Sequence, residues 1–141
     1  MDLNTLKRKG SLSMVRGIES INLNSANTKK LADFYIKQVG LKLTDEFYMG
    51  EDEAVGYYFE FATGSTSLMI VPHSKVTGKN KNPERIFFNL EVDDIKKEVA
   101  KLKKAKVKVI ADTYHIESYG WVATFEDVDG NYFQLVQVRE N

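Results

Sequence analysis

The side chains able to do chemistry in this chain are few, and their types narrow the choices at once. Its 141 residues include two histidines, His73 and His115, and no cysteine. No thiolate nucleophile, disulfide framework, zinc ribbon or iron–sulfur cluster can be built from that inventory. A metal site would have to lean on carboxylates and amides. His115 stands two residues before Glu117, and such a pair can pass a proton near neutral pH, where imidazole titrates. Glu91 is a further candidate base. These three are the catalytic candidates, and surface or loop histidines are the plainer reading of His73 and His115. No serine has a histidine partner in triad order, and Gly64 and Gly78 stand isolated. Neither a hydrolase triad nor a phosphate-binding glycine loop is indicated.

Twenty basic and 20 acidic residues give a net charge of zero. That balance argues against a nucleic-acid partner, which calls for excess Lys and Arg to displace counterions. Lys96, Lys97, Lys101, Lys103 and Lys104 crowd one segment and read as the solvated face of a helix. No stretch approaches the ~20 apolar residues that cross a bilayer, and Met1–Arg16 lacks the apolar run of a signal peptide. The expectation is a cytoplasmic protein with no membrane partner and residues 1–16 as a flexible arm.

The elements that must position these residues follow from periodicity. Ile21 and Leu23 alternate with Ser20, Asn22 and Asn24, as a half-buried strand requires. Ser25 or Asn27 then caps a helix running to Val39, with Leu31, Phe34, Tyr35 and Val39 on one face and Gly40 ending it. Extended segments follow at Leu41–Phe47, Gly56–Ala62 and Ser67–Val71. After a polar linker at 73–84 the order returns: a strand at Ile86–Val92 and a helix capped by Asp93 or Asp94. Strands at Val107–Ala111, Tyr119–Phe125 and Tyr132–Val138 complete the second half. Ser20 and Phe87, Asn27 and Asp93, and Met69 and Gln134 are each separated by about 66 residues, so one β-α-β-β-β unit is used twice. Residues 17–72 and 85–141 are the expected modules of one α+β domain, their curled mixed sheets surrounding a cleft.

Three stretches carry a resemblance. Asn27–Leu43 has a Phe-Tyr pair and a Gly-Leu exit. Ile86–Val92 leads into Asp93-Asp94-Ile95. Ala123–Gln137 contains Phe125-Glu126-Asp127-Val128-Asp129-Gly130-Asn131. In this order and spacing the chain resembles the vicinal oxygen chelate superfamily of glyoxalase I, bleomycin-resistance proteins and extradiol dioxygenases. Val128 replaces the signature's proline, and Lys106 falls where the family often has glycine, which predicts a positive φ there. Metal-dependent members place a ligand on the first and last strand of each half. The resemblance puts those positions at Ser20, Met69, Phe87 and Gln134. A phenyl ring, a thioether and a serine make a poor cage for a hard cation, so no metal and no cofactor are expected.

Continuing at period two from those positions, the expected lining comprises Ser20, Asn22, Met69, Phe87, Asn89, Glu91, Tyr132 and Gln134, with Ser67, Val71 and Val136. Trp121 is added as a candidate from a third strand, together with Tyr57, Tyr58, Phe59 and Tyr119, whose faces the pattern leaves open. Such a surface of amides and aromatics suits a small, partly aromatic organic ligand. The competing reading is that Met69, Phe87 and Tyr132 only fill space. A metal-free binding protein resembling the bleomycin-resistance branch is the leading expectation, and the resemblance implies a homodimer. A glyoxalase-like lyase or isomerase, or a dioxygenase, with relocated ligands or a metal-free base is the alternative, so whether the chain is an enzyme stays open at this point. A purely partner-binding module is the third reading.

Overall fold

The computed structural model of the chain describes residues 14–49, 54–64 and 66–139. Strand β1 (Ser20–Ser25) leads to helix α1 (Thr28–Asp33), which continues as a π-helical stretch over Phe34–Val39. Strands β2 (Asp45–Met49), β3 (Ala54–Phe59) and β4 (Ser67–Pro72) complete the first module. After a 3-10 turn at Pro83–Arg85, the order returns as β5 (Phe88–Glu91), α2 (Ile95–Lys104), β6 (Lys108–Ile116), β7 (Gly120–Glu126) and β8 (Tyr132–Gln137). The sheets run β1-β4-β3-β2 and β5-β8-β7-β6. The β1/β4 and β5/β8 pairs are parallel and the others antiparallel. The fold is α+β, built of two βαβββ modules. Of the arm expected at 1–16, residues 1–13 lie outside the described residues.

Local chemistry sets the element ends. Asn27 caps α1, its side-chain oxygen accepting from Lys30 N–H, and Asp94 caps α2 in the same way through Lys97 N–H. Each such cap satisfies an otherwise orphaned donor and is worth about 1 kcal/mol. The helix of the first module ends on Gly40 at φ 94°, in the left-handed region. Both Gly40 N–H and Leu41 N–H donate to Tyr35 O at 2.9 Å, so the last turn is wide. At the matching position of the second module Lys106 adopts φ 66°, the positive value expected there.

Two boundaries depart from the periodicity. Leu41 and Leu43 pack against the core without strand pairing, and β2 begins only at Asp45. Strand β6 runs on to Ile116, through the stretch expected to be a loop, because register shifts between Val109 and Tyr114 let a longer strand follow β7. His115 is therefore a strand residue, not a loop residue.

One core serves both modules. Leu31, Phe34 and Tyr35 pack with Phe59, Leu68 and Ile70 of the first sheet, and Val99 and Leu102 with Phe125, Phe133 and Leu135 of the second. The helix of the first module also reaches the second sheet: the Tyr35 ring lies 5.5 Å from Phe133 and 6.0 Å from Phe88, centroid to centroid. Tyr35 OH donates to Asp127 Oδ2 at 2.6 Å, and Ser25 Oγ donates to Asp129 Oδ2 at 2.6 Å. The turn closing β7 on β8 thus fastens the modules to each other.

Candidate functional site

Each sheet has one face toward the helices and one turned away from them, and alternation assigns the residues. In the first module β1 pairs Ser20 with Ser67, Asn22 with Met69 and Asn24 with Val71. Tyr58 stands opposite Met69 on β3, and Phe47 opposite Gly56. Gly56 has no side chain for a reason: a Cβ there would collide with the Phe47 ring. Asn22 and Asn24 are exposed, while Ile21 and Leu23 pack against the core.

The outward face of the second module repeats this layout. Asn89 pairs with Gln134 and Glu91 with Val136. Gln134 pairs in turn with Thr124, and its Nε2 donates to Thr124 Oγ1 at 2.8 Å. Asn89 Nδ2 donates to Tyr119 OH at 3.2 Å, so the Tyr119 side chain reaches across this face. Arg139 Nε lies 3.0 Å from Glu91 Oε2. Phe87, just before β5, sits with its ring centroid 5.9 Å from that of Tyr132, and it stays 42% exposed. Thr124, Phe47 and Arg139 were not singled out from the sequence. Thr124 was within reach: a turn closing Glu126 on Tyr132 places residue 124 opposite residue 134.

The four positions that metal-dependent relatives would use carry a hydroxyl, a thioether, a phenyl ring and an amide. This set does not fit a hard divalent cation. Among the described residues no group of three or more His, Cys, Asp or Glu side chains is placed to hold a metal ion. The Asp127–Asn131 turn has the spacing of a cation loop, yet Asp127 is spent on donors. Its Oδ1 accepts from Asp129 N–H and Asn131 N–H, and its Oδ2 from Tyr35 OH and Asn131 Nδ2. Burial pushes the Asp127 carboxyl up from its ordinary value, against the pull of those hydrogen bonds. Burial beside that carboxyl also holds the Tyr35 hydroxyl well above 10.0.

A groove of about 1020 Å³ is lined partly by Phe87, Asn89 and Glu91. It opens along β5 toward α2 and the end of the first helix, reaching Gly40, Lys101 and Leu102. Ser20, Asn22, Met69, Tyr132 and Gln134 lie outside its walls. Trp121 occupies the other face of its sheet: it pairs with Gln137 and His115, out of phase with Thr124 and Gln134. Tyr57 likewise faces the helices, pairing with Ile70, whereas Tyr58 shares the Met69 face. His115 packs on the Trp121 ring at 4.7 Å, and Glu117 sits in the exposed β6–β7 turn. The structure therefore places neither His115 nor Glu117 beside Gln134. Glu91 is on the Gln134 face, held by Arg139.

Sheet order, the repeated module and the turn signature define the class, and comparison with known proteins agrees. The model of the Glyoxalase/Bleomycin resistance protein/Dioxygenase superfamily matches residues 17–135, and the chain belongs to that family. An uncharacterised protein of Shewanella frigidimarina (strain NCIMB 400) is 25% identical over 132 residues, covering 90% of this chain and 97% of its own. TnmS3, an antibiotic-binding protein from Streptomyces sp. CB03234, superposes with a TM-score of 0.69 at 22% identity, over 90% of this chain and 99% of its own. The trypanothione-dependent glyoxalase I of Leishmania major gives 0.68 at 21% identity, over 86% of each chain. Among the described residues no helix is long and apolar enough to cross a membrane.

Proposed function

We propose that the protein binds a small, partly aromatic organic molecule without a metal, on a cleft walled by the outward faces of the two sheets. The observation that carries this reading is the make-up of those faces. Asn22, Met69 and Tyr58 on one, and Asn89, Gln134, Phe87 and Tyr132 on the other, combine amide groups with apolar and aromatic surface, and the family's metal positions hold no hard-ligand set. Aromatic walls supply stacking area, and a few amides fix orientation. Similarity in fold to an antibiotic-binding protein supports a binder; similarity to a glyoxalase I keeps catalysis as an arm of the test.

A second copy of the chain is part of the proposal. Strands β1 and β5 are each the last strand of their sheet on one side. Apolar residues precede both: Ile18 is 69% exposed and Ile86 is 74% exposed. Covering these edges in a homodimer removes unpaired strand backbone and apolar surface from water together. We place the complete protein in the cytoplasm.

Thermal unfolding of chelator-treated protein with coumarin, quinolone and flavone probes tests the reading. A bound probe at 100 times its dissociation constant stabilises by about 2.7 kcal/mol. Stabilisation by at least one probe in chelator supports the binder. Turnover that appears only on adding Zn, Ni, Mn or Fe contradicts it.

A further inference from the structure

Helix α2 has two flanks on either side of its buried row Ile95, Val99 and Leu102. One flank borders the large groove. The other, Lys96, Ala100 and Lys103, borders a separate hollow of about 500 Å³. Its remaining walls are Ile95, Val99, Thr113, Trp121 and Gln137, with Asp112 at the rim. Gln137 Oε1 is occupied, accepting from Ile95 N–H at 2.8 Å.

Three features set this hollow apart from a surface dent. The indole of Trp121, the chain's single tryptophan, is 45% exposed and flanked by the ring of its cross-strand neighbour His115, 4.7 Å away and tilted by 60°. A ring packed along one side in this way keeps a flat face open for stacking. Opposite it the helix carries Ala100, whose small side chain leaves room for a planar group. The helix flank is cationic, and its two cations are not equivalent. Lys103 Nζ is engaged by Asp112 Oδ2 at 2.7 Å, so the charge left for an incoming anion is that of Lys96.

We propose that the Trp121 hollow is a second binding site, distinct from the proposed cleft, for a planar aromatic carboxylate whose ring stacks between Trp121 and Ala100 and whose carboxylate pairs with Lys96. Trp121 and Gln134 point to opposite faces of their sheet, so a guest in the hollow leaves the cleft face untouched.

The single tryptophan makes the test direct, because its indole N–H gives one isolated cross-peak in a nitrogen–proton correlation spectrum. The full chain is titrated with 1-naphthaleneacetate, with its neutral twin 1-naphthaleneethanol, and with cyclohexaneacetate. The proposal expects a saturable movement of the Trp121 peak with 1-naphthaleneacetate. Binding is about threefold weaker for the neutral twin and for Lys96→Gln, the size of an exposed ion pair, and weaker still for the non-planar acid. Ala100→Leu fills the hollow at an exposed helical position that tolerates leucine. It abolishes the peak movement while the remaining spectrum shows a folded chain, and coumarin binding elsewhere is unchanged. The proposal is overturned by the absence of saturation, by an Ala100→Leu chain that binds as before, or by equal binding of the neutral twin. A Trp121 peak that moves with protein concentration alone makes the hollow a contact between copies, and that also overturns it.

Discussion

The two modules share strand order, helix position and capping chemistry, yet their outward faces are finished differently. In the second module the polar side chains are already engaged: Gln134 with Thr124, Asn89 with Tyr119 and Glu91 with Arg139. In the first module Ser20, Asn22 and Asn24 make no side-chain hydrogen bond to another described residue. Their closing turns differ as well. The turn after β7 is a buried hub, with Asp127 only 4% exposed and bonded into the other module. The corresponding turn near Gly64 is exposed, and the bond that closes it among the described residues is Gly64 N–H to Phe61 O at 2.9 Å. Duplication supplied two equivalent surfaces. On this account one stayed free to meet a guest, while the other became a prearranged wall and the fastening between halves.

The turns offer the largest expected effect. Asp127→Ala leaves two backbone N–H groups, a tyrosine hydroxyl and an amide without their acceptor, and it should destabilise the chain by about 3 kcal/mol or more. Thr63→Ala in the other turn should stay within about 0.5 kcal/mol. Urea midpoints check both, and equal losses would erase the distinction between the turns. Tyr35→Phe removes one hydrogen bond to a buried carboxylate and should cost about 1.5–3 kcal/mol.

Changing pH sharpens the same contrast. Tyr35 is held above its ordinary value of 10.0 by burial, so above that pH the folded chain retains a proton that the unfolded chain releases. Its contribution is complete below pH 10 and is lost as pH rises through the folded value. Asp127 is also raised, by burial, from 3.8. Its contribution therefore falls as pH rises from 3.8 through its folded value. Asp112 runs the other way: its hydrogen bond with Lys103 lowers it from 3.8, so its contribution is lost as pH falls below that value. In urea midpoints followed against pH, Tyr35→Phe should flatten the alkaline decline. An unaltered decline would remove Tyr35 as its source.

Smaller effects separate the faces and the helix ends. Asn22→Ala should weaken a cleft-bound probe by about tenfold, because a free amide is lost with nothing to replace it. Thr124→Val should change binding less, since it loosens Gln134 without removing it. Calorimetric titration distinguishes the two, and the reverse order would contradict the contrast between the faces. Lys106→Gly relieves a left-handed non-glycine residue and should raise stability by up to about 1 kcal/mol, whereas Gly40→Ala should lower it by a similar amount. Thermal unfolding resolves both.

The order of elements and the repeat were legible because the period-two pattern around Ile21 and Leu23 and the capping residues, Ser25 or Asn27 and Asp93 or Asp94, are local signals; the structure selects Asn27 and Asp94. The positive φ of Lys106 followed from the family resemblance, in which glycine often stands at that position. The course of β6 was not legible, because a bulged strand breaks the alternation between Val109 and Tyr114. The face of Trp121 was not fixed either, since it depends on cross-strand register with Gln137 rather than on the residues around it. The fastening of Tyr35 to Asp127 joins residues in different modules, and no local pattern announces it. Of the proposed lining, Ser20, Asn22, Met69, Asn89, Glu91 and Gln134 were legible as positions on one sheet face or the other. How two faces meet is a question of assembly, which spacing within one chain does not encode.

The most direct test of the central claim is chemical-shift mapping of the chain with a saturating cleft probe such as coumarin, in the presence of a chelator. Saturable shifts are expected at Asn22, Tyr58 and Met69 of the first module together with Asn89, Gln134 and Tyr132 of the second, with no added cation. Shifts confined to one module, or binding that appears only when a divalent metal is supplied, would contradict it.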